Sequence, residues 1–242
     1  MTQLLISSST VYGCGYLDHA EPAIRDLFAG CRRIAFVPYA LFDRDAYANK
    51  VIARLQGMGL TAVSVHTAAD PVAAIASADG IFVGGGNTFR LLDCLHRFGL
   101  IEAIRARIAQ GAPYLGSSAG SIVAGPTIKT TKDMPIVEPP SFNALHLVEF
   151  QISPHFLDPD PNSKHMGETQ EERVLQFLEE NDRMVVGLRE ASFIRCSQDG
   201  AILEGPLIAR IFRRGHKPSE VPVGSNLLRF ISRTAERTYE SC

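Results

Sequence analysis

Short apolar segments alternate with amphipathic segments through the first half of the chain. The apolar segments, each of strand length, are residues 4–8, 33–40, 61–67, 80–85 and 113–117. Apolar residues recur at helical spacing between them, in residues 45–58, 87–98 and 101–109. Strands that are apolar throughout are buried on both faces, so the alternation predicts an α/β fold, a three-layer sandwich around a mainly parallel sheet. In such sheets, functional residues gather at the carboxyl ends of the strands.

The second half of the chain has a different pattern. Residues 127–140 are expected to form a long loop or a strand with excursions. The further expected elements are a strand, a helix, a second strand and a β-hairpin or meander, at residues 149–156, 169–180, 183–188 and 192–213. Thr169 and Glu172 form a capping-box pattern at the start of the helix, and Gln198-Asp199-Gly200 is the expected turn. Because no repeat or change of composition divides the sequence, residues 1–242 are predicted to form a single domain.

Composition narrows the classes of partner. The chain has 24 Lys and Arg against 26 Asp and Glu, a formal net charge of −2, which disfavours nucleic acid and anionic membranes as partners. The amino-terminal sequence lacks the features of a signal peptide, and no apolar run approaches the roughly 20 residues that span a bilayer. Five scattered cysteines without a C-x-x-C pair disfavour a disulfide framework and a cysteine zinc site. A cytoplasmic protein is expected.

Residues 116–120, Gly-Ser-Ser-Ala-Gly, match the pattern G-x-S-x-G between a predicted strand and a helix start rich in small residues. This is the setting of a nucleophile elbow, in which the glycines permit a sharp turn and Ser118 projects above the sheet. Backbone N–H groups and the helix dipole can stabilise an oxyanion there. The simpler alternative is a tight turn that only packs a helix on a strand.

A nucleophilic serine needs a base. His155 ends a predicted strand, so it is expected at the same sheet edge as Ser118. The base needs a carboxylate that fixes its tautomer and stabilises its charged form. Asp133 lies in the loop between the serine and the histidine, and Glu190 comes just after a predicted strand. Their positions along the chain do not decide between the two.

A glycine-rich turn, Gly84-Gly85-Gly86-Asn87-Thr88-Phe89, follows the fourth predicted strand and opens a helix. Such a turn can donate backbone N–H groups to an anion. Phe89 stands where G-x-G-x-x-G requires its last glycine, and the P-loop residues are absent, so nucleotide binding is disfavoured. Beside a serine nucleophile, an oxyanion hole or a ligand rim that includes Asn87 fits better.

These motifs together resemble peptidase E, the α-aspartyl dipeptidase family. The shared stretches occur in the same order and are GGGNTF (84–89), GSSAG (116–120), TTKDMPIV (130–137), SPHF (153–156) and GET (167–169). Three further stretches look like the same family, namely LLISSST (4–10), FVPYA (36–40) and ADPVAAI (69–75). The resemblance covers most of residues 4–190.

The resemblance implies an enzyme that hydrolyses dipeptides with an N-terminal aspartyl residue, in the cytosol and with no metal or cofactor. It implies a sandwich like that of class I glutamine amidotransferases, with serine in place of cysteine. Ser118 would be the nucleophile and His155 the general base, while Asp133 and Glu190 match the two acidic positions proposed for the third member of the triad. The oxyanion hole would be formed by the backbone N–H groups of Gly86 and Ala119.

One position departs from the family pattern. Family members often read GETRE, and the arginine is suited to bind the β-carboxylate of the substrate. This chain reads GETQE, with Gln170. A neutral amide cannot form a charge-assisted bidentate pair, so a preference for Asn or a broader set of P1 residues is the alternative to strict Asp preference. Arg189, Lys132 or Lys164 are the candidates to supply the charge instead.

Other hypotheses remain open at this stage. An α/β-hydrolase esterase would take its histidine late in the chain, at His216. A binding protein without turnover would use the same scaffold. A metal site would draw on a ligand-rich stretch whose spacing matches no compact motif, with His155, Asp158, Asp160, His165 and Glu168. The expected partner is a small peptide, and a homodimer is a further expectation.

Overall fold

The computed structural model describes residues 2–159, 162, 164 and 166–231. The strands in this part of the chain are β1 (Gln3–Ile6), β2 (Ile34–Val37), β3 (Ala62–Ser64), β4 (Gly80–Val83), β5 (Tyr114–Ser117), β6 (Gln151–Pro154), β7 (Val185–Leu188), β8 (Phe193–Ser197), β9 (Gly200–Glu204), β10 (Ala209–Phe212) and β11 (Ser219–Val221). The α-helices are α1 (Glu21–Leu27), α2 (Arg44–Gly57), α3 (Pro71–Ala76), α4 (Thr88–Arg97), α5 (Leu100–Ala109), α6 (Ala119–Ile122) and α7 (Gln170–Glu180).

The main sheet has seven strands in the order β3-β2-β4-β5-β1-β8-β9. The first five run parallel, β8 pairs antiparallel with β1, and β9 pairs antiparallel with β8. Successive residues of β1 pack into different cores because side chains alternate across a strand. Leu4 and Ile6 join a cluster with Ile24 of α1 and Val51 of α2, whereas Leu5 joins the cluster that contains residues of α3 to α6. Helices therefore cover both faces, and the predicted sandwich is observed.

A second sheet of four strands has the order β11-β10-β7-β6, with β6 and β7 parallel. Ile152 and Val186 face the main core from this sheet. Its other side is covered by α7, where Val174 packs with Phe156 and Phe212. The predicted capping box of α7 is observed: the Thr169 hydroxyl accepts from the backbone N–H of Glu172, and the Glu172 carboxylate accepts from the backbone N–H of Thr169. This sheet carries the strand that ends just before His155.

The strand predicted at residues 61–67 needs correction. The predicted strand at residues 61–67 ends at Ser64, and Val65–Thr67 forms a 3₁₀ turn. Thr67 Oγ1 donates to the Ser64 carbonyl and Ser64 Oγ contacts His66 Nδ1, so local side-chain bonds replace the strand ladder.

In the segment at residues 192–213, the first of the two predicted alternatives, a β-hairpin, is observed. Strands β8 and β9 pair antiparallel around Gln198 and Asp199, as predicted. Beyond β9, Gly205 has a φ of 99° and Pro206 has no N–H to donate, so the ladder stops. The next strand, β10, pairs with β7 and β11 in the second sheet.

None of the helices in the described ranges is long and apolar enough to cross a membrane. The predicted long loop is observed between α6 and β6, with one isolated bridge between Thr127 and Asn143. The single domain over residues 1–242 remains a prediction, and residues 232–242 lie outside the described part of the chain.

Candidate active site

Ser118 occupies a sharp turn between β5 and α6. Its φ of 51° and ψ of −108° are unusual for a residue with a side chain, and its backbone N–H donates to the Ile6 carbonyl at 3.1 Å. A Cβ at Gly116 would lie 2.5 Å from the Gly120 carbonyl oxygen, and one at Gly120 would overlap the Val83 carbonyl oxygen. The two glycines therefore let the turn close against β4, as the G-x-S-x-G pattern predicts.

His155 follows the last residue of β6 and also has a positive φ, 53°. Its Nε2 atom lies 2.8 Å from Ser118 Oγ, which is hydrogen-bonding distance. The predicted pair of serine and histidine is thus brought together at the carboxyl ends of β5 and β6. These strands belong to different sheets, so the expectation that both residues lie at the edge of one sheet is wrong.

Of the two acidic candidates, Glu190 contacts the histidine. Glu190 Oε1 lies 2.6 Å from His155 Nδ1. Asp133 instead accepts two hydrogen bonds at Oδ2, from the backbone N–H of Thr88 at 2.7 Å and from the Thr88 hydroxyl at 2.6 Å. Asp133 therefore ties the long loop to the start of α4, where the helix dipole favours a negative charge.

A cavity of about 790 Å³ opens over Ser118 and His155. Gly86 and Asp133 line it together with several side chains from the α2 side that the sequence analysis does not single out, among them Tyr16, Phe42, Tyr47 and Lys50. The volume lies within the range of small-molecule sites. Burial raises the pKa of Tyr47, whose hydroxyl lies 3.4 Å from that of Tyr16. The sequence feature that points to this side of the cavity is the segment between β2 and α2, because it directly follows a strand end, where functional loops lie.

Of the two expected oxyanion donors, one lines this cavity and the other is the next residue after Ser118. Gly86 lines it, with a φ of 133° that favours glycine, and Ala119 directly follows Ser118. Within the described residues, the backbone N–H groups of Gly86 and Ala119 have no protein acceptor. Both are therefore available to a bound ligand.

The two residues expected to bind substrate make bonds within the protein. Asn87 caps α4, with Oδ1 accepting from Arg90 N at 3.0 Å, while its Nδ2 donates to the Met134 carbonyl at 2.8 Å. Gln170 Oε1 accepts from Lys132 Nζ at 3.1 Å and from Leu157 N at 3.0 Å. Neither residue lines the cavity over Ser118: Asn87 supports its rim, and Gln170, joined to Lys132, lines a separate cavity, so their expected role in binding substrate stays a prediction.

The candidate cations differ in their surroundings. Arg189 pairs with Glu220 and Asp158, and its hydrogen bonds to these carboxylates raise its pKa. Lys132 is largely withdrawn from solvent, and burial lowers its pKa to about 8 against the opposing effect of nearby Asp133 and Glu190. Lys164 is exposed. Of the three candidate cations, Lys132 is therefore the one in direct contact with predicted site residues.

The residues named for the other hypotheses are dispersed or outside the description. His216 is exposed in a turn after β10, where its N–H donates to the Arg213 carbonyl. For the metal hypothesis, Asp158 pairs with Arg189, whereas Asp160 and His165 lie outside the described residues. The geometry thus gives no support to an esterase triad built on His216.

Comparison with known proteins extends these observations. The model of "Peptidase family S51" matches residues 3–204. Peptidase E of Streptomyces coelicolor is 53% identical over 227 residues, which cover 94% of this chain and 93% of that protein. A Drosophila melanogaster protein named "Probable alpha-aspartyl dipeptidase" is 47% identical over 213 residues, covering 87% and 89%.

The crystal structure of a peptidase from an acI-B1 Actinobacterium superposes with a TM-score of 0.69 at 16% identity, over 93% of this chain and 95% of that one. This likeness confirms the predicted sandwich of the class I glutamine amidotransferase type. The family model matches most of the chain, and the two relatives named above are 53% and 47% identical to this chain. The chain therefore belongs to peptidase family S51.

Proposed function

We propose that this peptidase is a serine-type dipeptidase that releases the N-terminal residue of short peptides through an acyl-enzyme on Ser118. The observation that carries the proposal is the pair of short contacts at His155, 2.8 Å to Ser118 Oγ and 2.6 Å to Glu190 Oε1. A serine, an imidazole and a carboxylate in this order form the arrangement that activates a hydroxyl for attack.

In the proposed reaction, Ser118 Oγ attacks the scissile carbonyl carbon while His155 Nε2 accepts the hydroxyl proton. The Gly86 and Ala119 N–H groups stabilise the tetrahedral oxyanion. Collapse breaks the C–N bond, and the imidazolium returns its proton to the leaving amine. Water, deprotonated by His155, then hydrolyses the ester and regenerates Ser118.

Within this proposal, Glu190 is the acid that orients His155. The contact at Nδ1 leaves Nε2 as the acceptor that Ser118 requires. Asp133 has a different role: its two bonds to Thr88 hold the loop that borders the cavity. An Asp133 triad would require the carboxylate to leave the start of α4.

The proposed substrate is a dipeptide with N-terminal Asp. The names of two relatives, peptidase E and alpha-aspartyl dipeptidase, support this choice. The second candidate is the same serine mechanism with a preference for Asn or a broader P1 set, and Gln170 is the observation that favours it. A neutral amide beside the Lys132 ammonium offers less positive charge to a carboxylate than an arginine would.

The test is hydrolysis of Asp-Leu, Asn-Leu and Leu-Leu, in the presence of EDTA, by wild type and two serine variants. Ser118→Ala is expected to lose activity by at least about a thousandfold. Ser117→Ala is the matched control, because the neighbouring Ser117 hydroxyl is buried and has no partner among the described residues. Full activity of Ser118→Ala would refute the mechanism. Preference for Asn-Leu would favour the second candidate, and tight binding without product would favour a binding protein.

A further inference from the structure

His155 holds its imidazole from a backbone conformation that residues with side chains rarely adopt. Its φ is 53°, in the left-handed region. Such a conformation persists only where the surroundings fix it, and it frequently accompanies functional sites. The direction of the ring toward Ser118 depends on this backbone, because Cα and Cβ set where the side chain begins.

A buried serine binds the N–H of His155. Ser7 lies just beyond β1 and is fully buried. Its Oγ accepts from the backbone N–H of His155 at 2.9 Å and donates to the Leu188 carbonyl at 2.9 Å. One hydroxyl thus links the ends of β6 and β7, the two strands that precede His155 and Glu190.

A lysine binds the other side of the same peptide unit. Lys132 Nζ donates to the His155 carbonyl at 3.2 Å, to the Pro154 carbonyl at 2.6 Å and to Gln170 Oε1 at 3.1 Å. An ammonium has three protons and no acceptor, so these three bonds use its full capacity. A protonated lysine fits this position better than any neutral side chain of its length.

Lys132 lies behind the histidine and not beside the serine. It lines a separate cavity of about 250 Å³ with Lys129, Asp133, Gln170 and Arg173, and it does not line the cavity over Ser118. Its effect on a reaction at Ser118 would therefore pass through the backbone of His155.

We propose that Ser7 and Lys132 are positioning residues, which hold His155 in its left-handed conformation from both sides and so direct its imidazole at Ser118. The proposal rests on the proposed function of Ser118 and His155. It assigns Lys132 a role that depends on its positive charge, because a neutral amine donates fewer hydrogen bonds to the carbonyls. Small displacements of a catalytic base reduce turnover far more than binding.

The pH dependence follows from the groups around Lys132. Burial lowers its pKa to about 8, while Asp133 and Glu190 raise it and Arg173 lowers it. Lys132 is therefore largely charged at neutral pH and loses its charge above about pH 8. The kcat of the wild type should then fall as the pH rises through this value. Measuring kcat at saturating substrate separates this effect from ionisation of the free peptide's own amine.

The test compares Lys132→Met, Lys132→Arg, Ser7→Ala and the control Lys129→Met, an exposed lysine of the same small cavity. Circular dichroism first establishes folding. We expect kcat to fall about tenfold or more in Lys132→Met and in Ser7→Ala with KM within about twofold, and Lys129→Met to match the wild type. In Lys132→Arg, the alkaline decline of kcat should move to higher pH. If Lys132→Met does not fold, the measurements on Ser7→Ala and Lys132→Arg still test the positioning role.

Labelling of Ser118 by a fluorophosphonate, followed by mass spectrometry, separates this proposal from the proposed function, because it needs no peptide specificity. Slower labelling in Lys132→Met and Ser7→Ala supports the positioning role even if no dipeptide is cleaved. If both variants had the kcat, the pH profile and the labelling rate of the wild type, the positioning role would be overturned. The proposed dipeptidase function would not be affected by that result. No labelling of the wild type would overturn both.

Discussion

His155 Nδ1 lies 2.6 Å from Glu190 Oε1 because their strands are parallel neighbours in a fixed register. Pro154 of β6 pairs with Leu188 of β7, so the residues one and two positions later leave the sheet at the same edge. An acid 35 residues away along the chain is thereby brought to the histidine. The second sheet thus supplies a histidine and its acid to a serine carried by the first.

Replacing Glu190 should affect turnover and not substrate affinity. Glu190→Gln retains the shape of the side chain but removes the charge that stabilises an imidazolium, so we expect kcat to fall on the order of 10³-fold with KM little changed. Asp133→Asn is the comparison: it keeps an oxygen for Thr88 but removes a charge that lines the cavity, and it should raise KM. Steady-state kinetics of both variants measure these changes. A loss of kcat in Asp133→Asn alone would make Asp133, and not Glu190, the acid that orients His155.

Gln170 gives a test of P1 selectivity. Gln170→Arg would add a second cation beside Lys132 at the start of α7. We expect the ratio of kcat/KM for Asp-Leu over Asn-Leu to rise about tenfold, the scale of one charge-assisted contact. Competition assays with both peptides measure this ratio directly. An unchanged ratio would mean that residue 170 does not face the P1 side chain.

The stability of the folded protein should respond to pH through Lys132 in the direction opposite to its activity. The folded state lowers this pKa to about 8 from 10.5, so between these values the unfolded chain binds more protons. Stability then rises with pH, since the cost of burying the charge is present below pH 8 and is relieved toward pH 10.5.

Urea unfolding of wild type and Lys132→Met at about pH 7.5 and about pH 9.5 checks this sign. The wild type should gain free energy of unfolding relative to the variant at the higher pH. A relative loss would mean that the lysine is stabilised in its charged form by the fold.

The tight elbow should not tolerate a methyl group. In Gly120→Ala the new Cβ would overlap the Val83 carbonyl oxygen, so backbone must move, and we expect the free energy of unfolding to fall by roughly 3 kcal/mol. Gly57→Ala, at the end of α2, is the control: its Cβ would approach only Arg54 Nη1, at 3.9 Å, and helix propensity favours alanine by up to about 1 kcal/mol. Thermal or denaturant unfolding of both variants separates the steric cost of the new methyl group from the effect of replacing a glycine.

The sequence was sufficient to predict the serine and the histidine because each directly follows the carboxyl end of an apolar strand, where functional residues gather, although the two strands belong to different sheets. It was not sufficient to choose between Asp133 and Glu190. That choice depends on the register of β6 with β7 and on the capture of Asp133 by Thr88. Neither interaction leaves a local pattern in the sequence.

Other elements of the structure could not be predicted from the sequence for similar reasons. Helices α1 and α3 are only 7 and 6 residues long and each begins with a proline in its first turn, so their apolar periodicity is short. Strand β10 crosses to the second sheet by tertiary pairing that propensity does not encode. The cavity side chains Tyr16, Tyr47 and Lys50 come from the loop after β1 and from α2, so only the tertiary packing brings them together.

The most direct measurement of the central claim is the trapping of an acyl-enzyme. Wild type mixed with an aspartyl ester or anilide, quenched in acid within milliseconds and digested, should yield a peptide that carries the aspartyl group on Ser118. Ser117→Ala should yield the same adduct, and Ser118→Ala none. Rapid turnover of the substrate with no adduct at any time, or an adduct on a residue other than Ser118, would contradict the account.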